Sequence, residues 1–349
     1  MPASIQDVAD RAKVSISTVS RVLNRHNVVN EKTRQRVESA ISELGYSPNV
    51  FARGLMLRRS HILGLVLPGL HGEFYSEIIH GADKRAQALG YRLMVSSVAT
   101  EDDGSGLVGI VGDQGMVDGL AVMISEANAR TRSSLERMKA PLVVLDGDFE
   151  GVKHDSVVID QRMGAVAMMR HLVQRRGARR IVFVGGPVTN IDTLERLEAY
   201  RSVMHEHGLE VAAGDIHHLD YEYDTAYDLG LRRAKEWSHR RATVFAAPAE
   251  RAAGIFAPGA QGGVRVAAAQ KVGVDVPGEL PGVGFDDTRV ATMTRPRLTT
   301  VRAPMASMGA GAVDLLVQRL ENAKRPATRL TLEPELIVRE SCGAAESDG

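Results

Sequence analysis

The N-terminal part of the chain places apolar residues at the spacing of three short helices, each with one buried face. In chain order these residues are Ile5, Val8, Ala9 and Ala12; Val19, Val22 and Leu23; and Val37, Ile41 and Leu44. Ser4 and Ser15 stand where the first two helices need N-caps, and Gly45 is positioned to end the third. Because only a few residues around Lys13 and Val14 join the first two helices, the spacing predicts a steep crossing, the geometry of a helix-turn-helix.

From His61 onward the pattern changes to apolar runs that alternate with helical segments. The runs are HILGLVLP, YRLMVSS, GLAVMIS, PLVVLD, SVVID, RIVFVGG, IHHLDY, TVFAA and PGVGFDD. Strand–helix repetition of this kind builds parallel sheets covered by helices on both faces. The strands are too many for one sheet and about enough for two. The predicted fold is an all-α helix-turn-helix head followed by an α/β body of two parallel-sheet subdomains.

Charge is distributed unevenly along a chain whose formal net charge is zero. Residues 1–60 contain ten basic and five acidic side chains, a net charge of +5, so the remainder carries −5. A basic head indicates a polyanionic partner, although a solvated helix face would explain the excess equally well. The lone Cys342, the mixed charges at the N-terminus and the lack of an apolar run of ~20 residues predict a cytoplasmic protein with no membrane partner.

The second predicted helix has an outer face suited to reading double-stranded DNA. With its apolar residues committed to the core, the residues that project outward at its start are Ile16, Ser17, Ser20 and Arg21. Arg21 can present two donors to a guanine, and Ile16 can touch a thymine methyl group. The residues better placed for phosphate contacts are Thr18, Asn24, Thr33 and Arg34. The alternative is an ordinary three-helix bundle with a polar face.

Two stretches carry a family resemblance, IQDVADRAKVSISTVSRVLN and TRQRVESAISELGYSPNVFARGL. They resemble the head of the LacI/GalR (lactose-repressor) family of bacterial transcription regulators almost position by position. The resemblance implies a repressor that binds a palindromic DNA operator as a homodimer. One departure is Lys13, where the family usually has glycine, and a left-handed backbone there costs up to ~1–2 kcal/mol.

The resemblance also changes the interpretation of the linker SPNVFARGLMLRRS. By themselves, residues 49–55 favour a plain linker, because Gly54 weakens so short a helix. By resemblance they form a hinge helix that pairs with its copy in the minor groove, with Leu55 wedged between base pairs and Ala52 and Arg53 beside it.

The resemblance further implies a body similar to periplasmic sugar-binding proteins, with an allosteric effector site between its subdomains. The predicted domains are a DNA-binding domain over residues 1–47, a hinge over 48–60 and an effector-binding and dimerisation domain over 61–349. One subdomain would comprise residues 61–160 plus 290–325, and the other 161–289 plus 326–342. The chain would cross between them near Asp160, residues 287–296 and Pro326.

Candidate effector-binding residues follow predicted strands, beyond whose carboxyl ends ligands bind in open parallel sheets. Arg196 and Asp286 match residues with which the family contacts its effectors. Other candidates are Asp146, Asp160, Asn190 and Asp192, and Phe74 as a stacking platform where the family has an asparagine-proline-aromatic-aromatic motif. Such groups suit a sugar or nucleoside, although any one of them could be a surface charge or a loop cap.

After TVFAA the family normally has Asn-Asp, and this chain has Pro248 and Ala249 followed by a stretch rich in Gly, Pro and Ala. A repressor whose effector site is degraded is therefore an alternative. A sugar-binding protein or an α/β enzyme with an accessory DNA-binding head are others. No catalytic residue, cofactor or metal site is predicted. The histidines that could suggest a metal, His205, His207, His217 and His218, lack ligand spacing.

Overall fold

The structure is a computed structural model that forms two compact units, Met1–His61 and Ile62–Gly349. It describes residues 3–23, 29–46, 59–70, 72–97, 116–123, 133, 135–136, 138, 140–147, 154–220, 223–247, 255–256 and 267–344. The first unit is called the head below, and the second is called the body.

The head contains the three predicted helices, α1 (Ile5–Ala12), α2 (Ile16–Leu23) and α3 (Glu31–Glu43). Ser4 caps α1 as predicted, since its hydroxyl accepts from the Asp7 amide, and the Asp7 carboxylate accepts in return from the Ser4 amide. Lys13 ends α1 in the left-handed conformation, at φ 50° and ψ 52°. The turn therefore keeps the backbone geometry for which glycine is favoured.

The predicted apolar faces of the three helices meet in one core. Its buried residues are Val8, Ala9, Ala12, Val19, Val22, Val37 and Ala40, with Ile5, Val14, Leu23, Val29, Ile41 and Tyr46 packed around them. The prediction for Leu44 was wrong, because this side chain is exposed. Helix α3 ends at Glu43, and the chain turns at Gly45, whose φ is +57°, so Tyr46 rather than Leu44 reaches the core.

The body contains two parallel sheets, as predicted. The six-stranded sheet has the order β11-β5-β4-β3-β1-β2, and its strands are β1 (Ile62–Leu67), β2 (Arg92–Ser97), β3 (Gly119–Met123), β4 (Leu142–Leu145), β5 (Asp155–Ile159) and β11 (Arg329–Leu332). The four-stranded sheet has the order β7-β6-β8-β9, and its strands are β6 (Ile181–Gly185), β7 (Ile216–His218), β8 (Thr243–Ala246) and β9 (Gly282–Val283). Every pairing within these sheets is parallel.

Helices of the body cover the sheets. They are α4 (Glu73–Ala88), α5 (Gln161–Arg170, continued by a π-helical turn over His171–Arg175), α6 (Ile191–Glu206), α7 (Tyr223–His239), α8 (Ala268–Lys271), α9 (Val290–Met293) and α10 (Met305–Glu321). Single 3-10 turns lie at Ala213–Asp215 and Glu340–Cys342. Among the residues described, no helix combines the length and apolar character needed to cross a bilayer.

A short antiparallel ladder, which the apolar pattern does not predict, joins β10 (Thr300–Arg302) to β12 (Glu335–Ile337). Next to it, Asp287 pairs with Arg302 at 2.9 Å and with Arg339 at 2.6 Å. Strand β11 pairs in parallel with β5 and therefore lies in the six-stranded sheet, whereas residues 326–342 were predicted to belong with the other subdomain. Residues 290–325 were predicted to belong with the six-stranded sheet, but Ala291 and Leu298 pack in the core of the four-stranded sheet, and Thr299 bridges to Val283 of β9. The other predicted domain and subdomain limits remain a prediction.

A buried ionic cluster supports the entry into β11. Asp155 is fully buried and accepts two hydrogen bonds from Arg319, at 3.0 and 2.9 Å, and one from Arg325, at 2.7 Å. Its carboxylate also accepts from the backbone amide of Thr328 at 2.8 Å. Because every interaction of this carboxylate is charge-assisted or made with backbone, the cluster ties the segment between α10 and β11 to β5.

Candidate DNA-binding surface and effector site

The outer face of α2 carries the side chains that the sequence assigned to base contacts. Ile16 is 38% exposed, and Ser17 and Arg21 are exposed, whereas Val19 and Val22 on the inner face are buried. Single exposed apolar side chains are common on protein surfaces, so Ile16 is informative only together with its polar neighbours on this face. This face therefore combines an exposed methyl-rich side chain with hydroxyl and guanidinium donors.

Hydroxyl groups at the start of α2 are already organised by hydrogen bonds. The Ser15 hydroxyl lies 2.8 Å from the Ser17 hydroxyl and 2.9 Å from that of Thr18, and it accepts from the Thr18 amide at 3.3 Å. Ser15 thus serves as the predicted cap of this helix. Ser20 is half-buried on the same helix. The base-contacting and phosphate-contacting roles of these residues remain predictions.

Two basic residues of the head have structural roles, and the predicted phosphate contacts lie elsewhere in it. Arg11 donates to Glu43 at 2.8 Å, and Arg36 donates to the carbonyl oxygens of Ala12 and Lys13 in the turn. These two arginines hold α3 against α1. The predicted phosphate contacts Thr33 and Arg34 are half-buried in the first turn of α3, while Asn24, Ala52, Arg53 and Leu55 lie outside the described residues.

In the body, Arg196 is the centre of a buried polar group. The side chain is 5% exposed, and its Nε and Nη2 donate to Gln161 Oε1 at 3.0 and 2.7 Å. Its Nη2 also lies 3.4 Å from Asp286 Oδ1, and its guanidinium carbon lies 3.9 Å from the centre of the Phe285 ring. Helix α6 supplies the arginine and the end of β9 supplies the aspartate, so the predicted pair of Arg196 and Asp286 is in contact.

Three carboxyl groups share the electrostatic field of this arginine. Burial, followed by the charge of Asp192, raises the pKa of Asp146 well above its ordinary value. Burial also raises the pKa of Asp192 to about 6, and the neighbouring Asp286 and Glu195 carboxylates add to this rise while Arg196 opposes it. Asp146 follows β4 of the six-stranded sheet, whereas Asp192 and Asp286 belong to the four-stranded half. The carboxyl ends of the two sheets therefore face one another at this cluster.

Other predicted effector residues serve as helix caps or pack on the core. The Asp160 carboxylate accepts from the Met163 amide at 2.7 Å, and the Asn190 side-chain oxygen accepts from the Thr193 amide at 2.9 Å. These bonds cap the N-termini of α5 and α6. At both positions one side-chain oxygen therefore serves as a helix cap, which was the alternative to effector binding. Phe74 packs against the core of the six-stranded sheet, with its ring centre 5.5 Å from that of Tyr75.

Two members of the polar group were not predicted, Gln161 and Phe285. Gln161 is 1% exposed, its oxygen accepts both bonds from Arg196, and its Nε2 has no hydrogen-bond partner among the described atoms. Phe285 supplies the ring below the guanidinium. The sequence offered one clue to each: Gln161 directly follows Asp160, and Phe285 directly precedes Asp286.

A contact joins the first turn of α4 to the loop before α9. The Glu73 carboxylate accepts from the Arg289 amide at 2.7 Å, and its other oxygen lies 3.7 Å from Arg289 Nε. Glu73 directly precedes Phe74 in the stretch where the family has its asparagine-proline-aromatic-aromatic motif, and Arg289 lies three residues after Asp286. This link, the Glu73–Arg289 contact, joins the halves of the body near the polar group.

No cluster of three potential metal ligands occurs among the described side chains. Two of the histidines considered above have other contacts, since His207 Nδ1 lies 2.9 Å from the Val203 carbonyl and His218 Nδ1 lies 2.8 Å from that of Gly186. These rings are held by backbone oxygens.

Family models match both units of the chain. Residues 4–49 match bacterial regulatory proteins of the lacI family, and residues 169–342 match the periplasmic binding protein-like domain. The HTH-type transcriptional repressor PurR of Klebsiella pneumoniae (strain 342) is 31% identical over 341 residues, which cover 97% of this chain and 96% of that protein.

Solved structures show the same architecture. The transcriptional regulator CelR in complex with cellobiose has 28% identity and a TM-score of 0.69, with 97% of this chain and 99% of that chain covered. A lac repressor dimer bound to its operator and the anti-inducer ONPF has 24% identity and a TM-score of 0.85, with 98% and 99% covered, and this likeness concerns the fold.

Proposed function

The chain belongs to the LacI family of bacterial regulatory proteins, and from this premise we propose that it is an effector-gated repressor that binds a near-palindromic operator as a homodimer. The observation that carries the proposal is the outer face of α2, where Ile16, Ser17 and Arg21 are exposed over a closed apolar core. Two such faces, related by a twofold axis, would enter successive major grooves.

Within each head, we assign sequence reading to Ile16, Ser17, Ser20 and Arg21. Arg21 would donate two hydrogen bonds to a guanine, and Ile16 would cover a thymine methyl group. Phosphate contacts are assigned to the residues that flank this face, Thr18, Asn24, Thr33 and Arg34. The net charge of +5 over residues 1–60 supports the sequence-independent part of the affinity.

The hinge completes the proposed DNA contact. Residues Ala52, Arg53 and Leu55, with Leu55 as the wedge, would enter the minor groove beside the copy from the second subunit. A segment that becomes helical only in that setting makes DNA affinity sensitive to the body, because ordering it has a free-energy cost that the body can raise or lower.

The body would bind the effector at the polar group of Arg196, Asp286, Asp146 and Asp192. Binding changes DNA affinity only by the difference in effector affinity between the two states of the body. A site assembled from the ends of two sheets gives such a difference, because its members separate when the sheets move apart. CelR is a transcriptional regulator solved in complex with cellobiose, and PurR is a transcriptional repressor. On this support we propose a sugar-like or nucleoside-like effector and a cytoplasmic place of action.

The specific observation in favour of an ungated repressor is the Pro248–Ala249 pair, which lies outside the described residues. Calorimetry with sugars and nucleosides separates the two proposals, since an ungated repressor binds its operator and none of these compounds. We assign the chain no catalytic role; conversion of any of the same compounds by the purified protein would contradict this assignment.

The proposal is tested by selecting bound DNA from a random pool and measuring the affinity of the selected duplex. We expect a near-palindromic site, and we expect Arg21→Ala to weaken its binding by about 1–3 kcal/mol, the value of a bidentate base contact. Arg232→Ala on the exposed face of α7 is the matched control and should leave operator affinity unchanged. Equal affinity of Arg21→Ala and the wild type would refute the role of Arg21, and a pool without sequence preference would refute the proposed function.

A further inference from the structure

The polar group of the body has more negative than positive charge. Asp146, Asp192 and Asp286 interact with one another and with a single guanidinium, that of Arg196. This guanidinium is already engaged, since Gln161 and Asp286 accept its hydrogen bonds and Phe285 lies against its face. If all three carboxyl groups were ionised, the group would carry a net charge of −2.

Neighbouring charges on the residues that the structure describes do not remove this imbalance. Glu195, on the helix that carries Arg196, adds a fourth acidic side chain, and its own pKa is raised by burial and by Asp160. The cations that act on Glu195 are Arg329, Arg196 and Arg162. Of these only Arg196 also acts on both Asp146 and Asp192. Protonation is then the means by which the unliganded group limits its repulsion.

An unused hydrogen-bond donor belongs to the side chain that holds Arg196. Gln161 is almost fully buried and its oxygen is occupied by Arg196, which leaves its Nε2 without a partner in the described part of the chain. A buried donor left unpaired is unfavourable, and an acceptor on a ligand would satisfy it. A bound molecule that suits this group supplies both an oxygen acceptor and positive charge.

Resting on the proposed function, we infer that the effector is a small hydroxylated molecule bearing a protonated amine, which the carboxylates of Asp146, Asp192 and Asp286 receive. An ammonium group brings three donors and one positive charge to a group in which three carboxyl groups share one guanidinium. A hydroxyl group supplies donors without charge, and a phosphate or carboxylate adds repulsion. Amino sugars and aminonucleosides have the required combination.

The inference is tested by calorimetry on the full-length chain with matched triplets that differ at one group. Glucosamine, glucose and glucuronate form one triplet; galactosamine, galactose and galacturonate form a second. The third is 5′-amino-5′-deoxyadenosine, adenosine and adenosine 5′-monophosphate. We expect an amine to bind at least about tenfold more tightly than its neutral counterpart, the effect of displacing one carboxyl pKa by a single unit.

Proton linkage provides a second measurement. A cation that favours the ionised carboxylates lowers their pKa, so its binding at pH 6, near the pKa of Asp192, releases protons. The binding enthalpies measured in two buffers of different ionisation enthalpy give the number released. We expect net release with the amine, and uptake or no exchange with the amine would overturn the inference.

Single-residue variants test whether the preference for an amine over its neutral counterpart depends on the carboxyl groups around Arg196. Asp192→Asn should reduce the preference for the amine over the neutral compound by about tenfold. Asp228→Asn, which removes the same charge from the exposed face of α7, should leave the preference unchanged. Tightest binding by a neutral or anionic member, or no binding by any amine, overturns the inference. If a neutral compound binds and alters operator affinity, the inference about the amine fails while the proposed gating stands. Operator binding measured in parallel tests the DNA-binding function separately from both.

Discussion

Arg196 illustrates how one residue meets two requirements in this body. Its buried charge is balanced by Asp286 and by the oxygen of Gln161, and the Phe285 ring covers one face of the guanidinium. An arginine suits this position better than a lysine, because its planar fork donates in several fixed directions and stacks on a ring. The same geometry that makes the charge tolerable also leaves the carboxyl groups of Asp146 and Asp192 with incomplete compensation.

Asp192 is therefore expected to lower the stability of the unliganded protein at neutral pH. Its pKa is about 6 in the folded chain, against an ordinary value of 3.8, so the folded state binds the proton more tightly than the unfolded state. Stability then falls as the pH rises through the window from about 4 to about 6. We predict that Asp192→Asn raises the free energy of unfolding at pH 7 by roughly 1–3 kcal/mol.

The measurement is urea unfolding of both proteins at several pH values. The gain should shrink as the pH falls from 7 towards 4, because the wild-type carboxyl group becomes protonated and neutral like the amide. Asp228→Asn on the surface should change the free energy of unfolding by less than about 0.5 kcal/mol. A variant that is less stable than the wild type at pH 7 would show that the ionised carboxylate stabilises the fold.

Sequence reasoning identified this site unevenly, for physical reasons. Arg196 and Asp286 could be predicted because the family resemblance extends to the residues around them, and they are in contact. Asp160 and Asn190 were chosen because they follow strands. A residue in that place also precedes the next helix, and both side chains accept a hydrogen bond from a backbone amide in the first turn of that helix. Gln161 had no signal beyond its position after Asp160, because nothing in the chain shows that a glutamine at the start of a helix will meet an arginine from α6.

At the scale of elements, strands that lie within apolar runs of the sequence were easier to predict than strands that carry charged side chains. The predicted runs correspond to β1 to β9, since a buried parallel strand is apolar over most of its length. Strands β10 and β12 have three residues each, and both carry charged side chains that pair across the ladder, Arg302 with Glu335 at 3.2 Å. Charged segments of this kind are fixed by their tertiary partners and have no apolar run that predicts them.

Helices α4 and α10 pack more closely than large side chains allow. A Cβ atom at Gly309 would overlap the carbonyl oxygen of Ile78, and one at Gly81 would overlap that of Ala306. Both obstacles are backbone atoms of the partner helix, so neither can move aside without shifting the helix. The core between α10 and the six-stranded sheet depends on this approach.

We predict that Gly309→Ala lowers the free energy of unfolding by about 1–3 kcal/mol or more, through overpacking. Chemical denaturation of the full-length chain measures the change. Gly214→Ala is the matched control, since a Cβ atom there meets nothing within 4 Å and the backbone is not in the left-handed region. Similar stabilities for the two variants would show that α4 and α10 adjust their separation at little cost.

At the scale of the whole molecule, the chain combines a basic DNA-reading unit with an acidic regulatory one. Residues 1–60 carry +5 and the remaining residues −5. The head forms a closed core of its own, so its folding does not require the effector site. Under the proposed gating, the effector acts on how two heads are presented to one operator, and the relative placement of the two halves of the body is then the controlling variable.

The Glu73–Arg289 contact is the element of the body most suited to hold those halves together. A carboxylate that accepts from a backbone amide at 2.7 Å forms a charge-assisted hydrogen bond, whereas the exposed ion pair at 3.7 Å adds little. We predict that Glu73→Ala broadens the distribution of distances between the halves in the unliganded protein. Spin labels on cysteines introduced at the exposed Lys84 and Glu210 report that distance, while buried Cys342 stays protected in the folded chain.

Glu73→Gln distinguishes the hydrogen bond from the charge. Its amide oxygen can still accept from the Arg289 amide, so its distance distribution should remain close to that of the wild type. If the ion pair with the Arg289 side chain dominated instead, Glu73→Gln and Glu73→Ala would broaden the distance distribution equally. Because the contact is worth no more than about 1.5–3 kcal/mol, its loss should shift the population of closed molecules without unfolding them. Identical distributions for the wild type and Glu73→Ala would mean that the polar group of Arg196 and the chain crossings hold the halves in place without this contact.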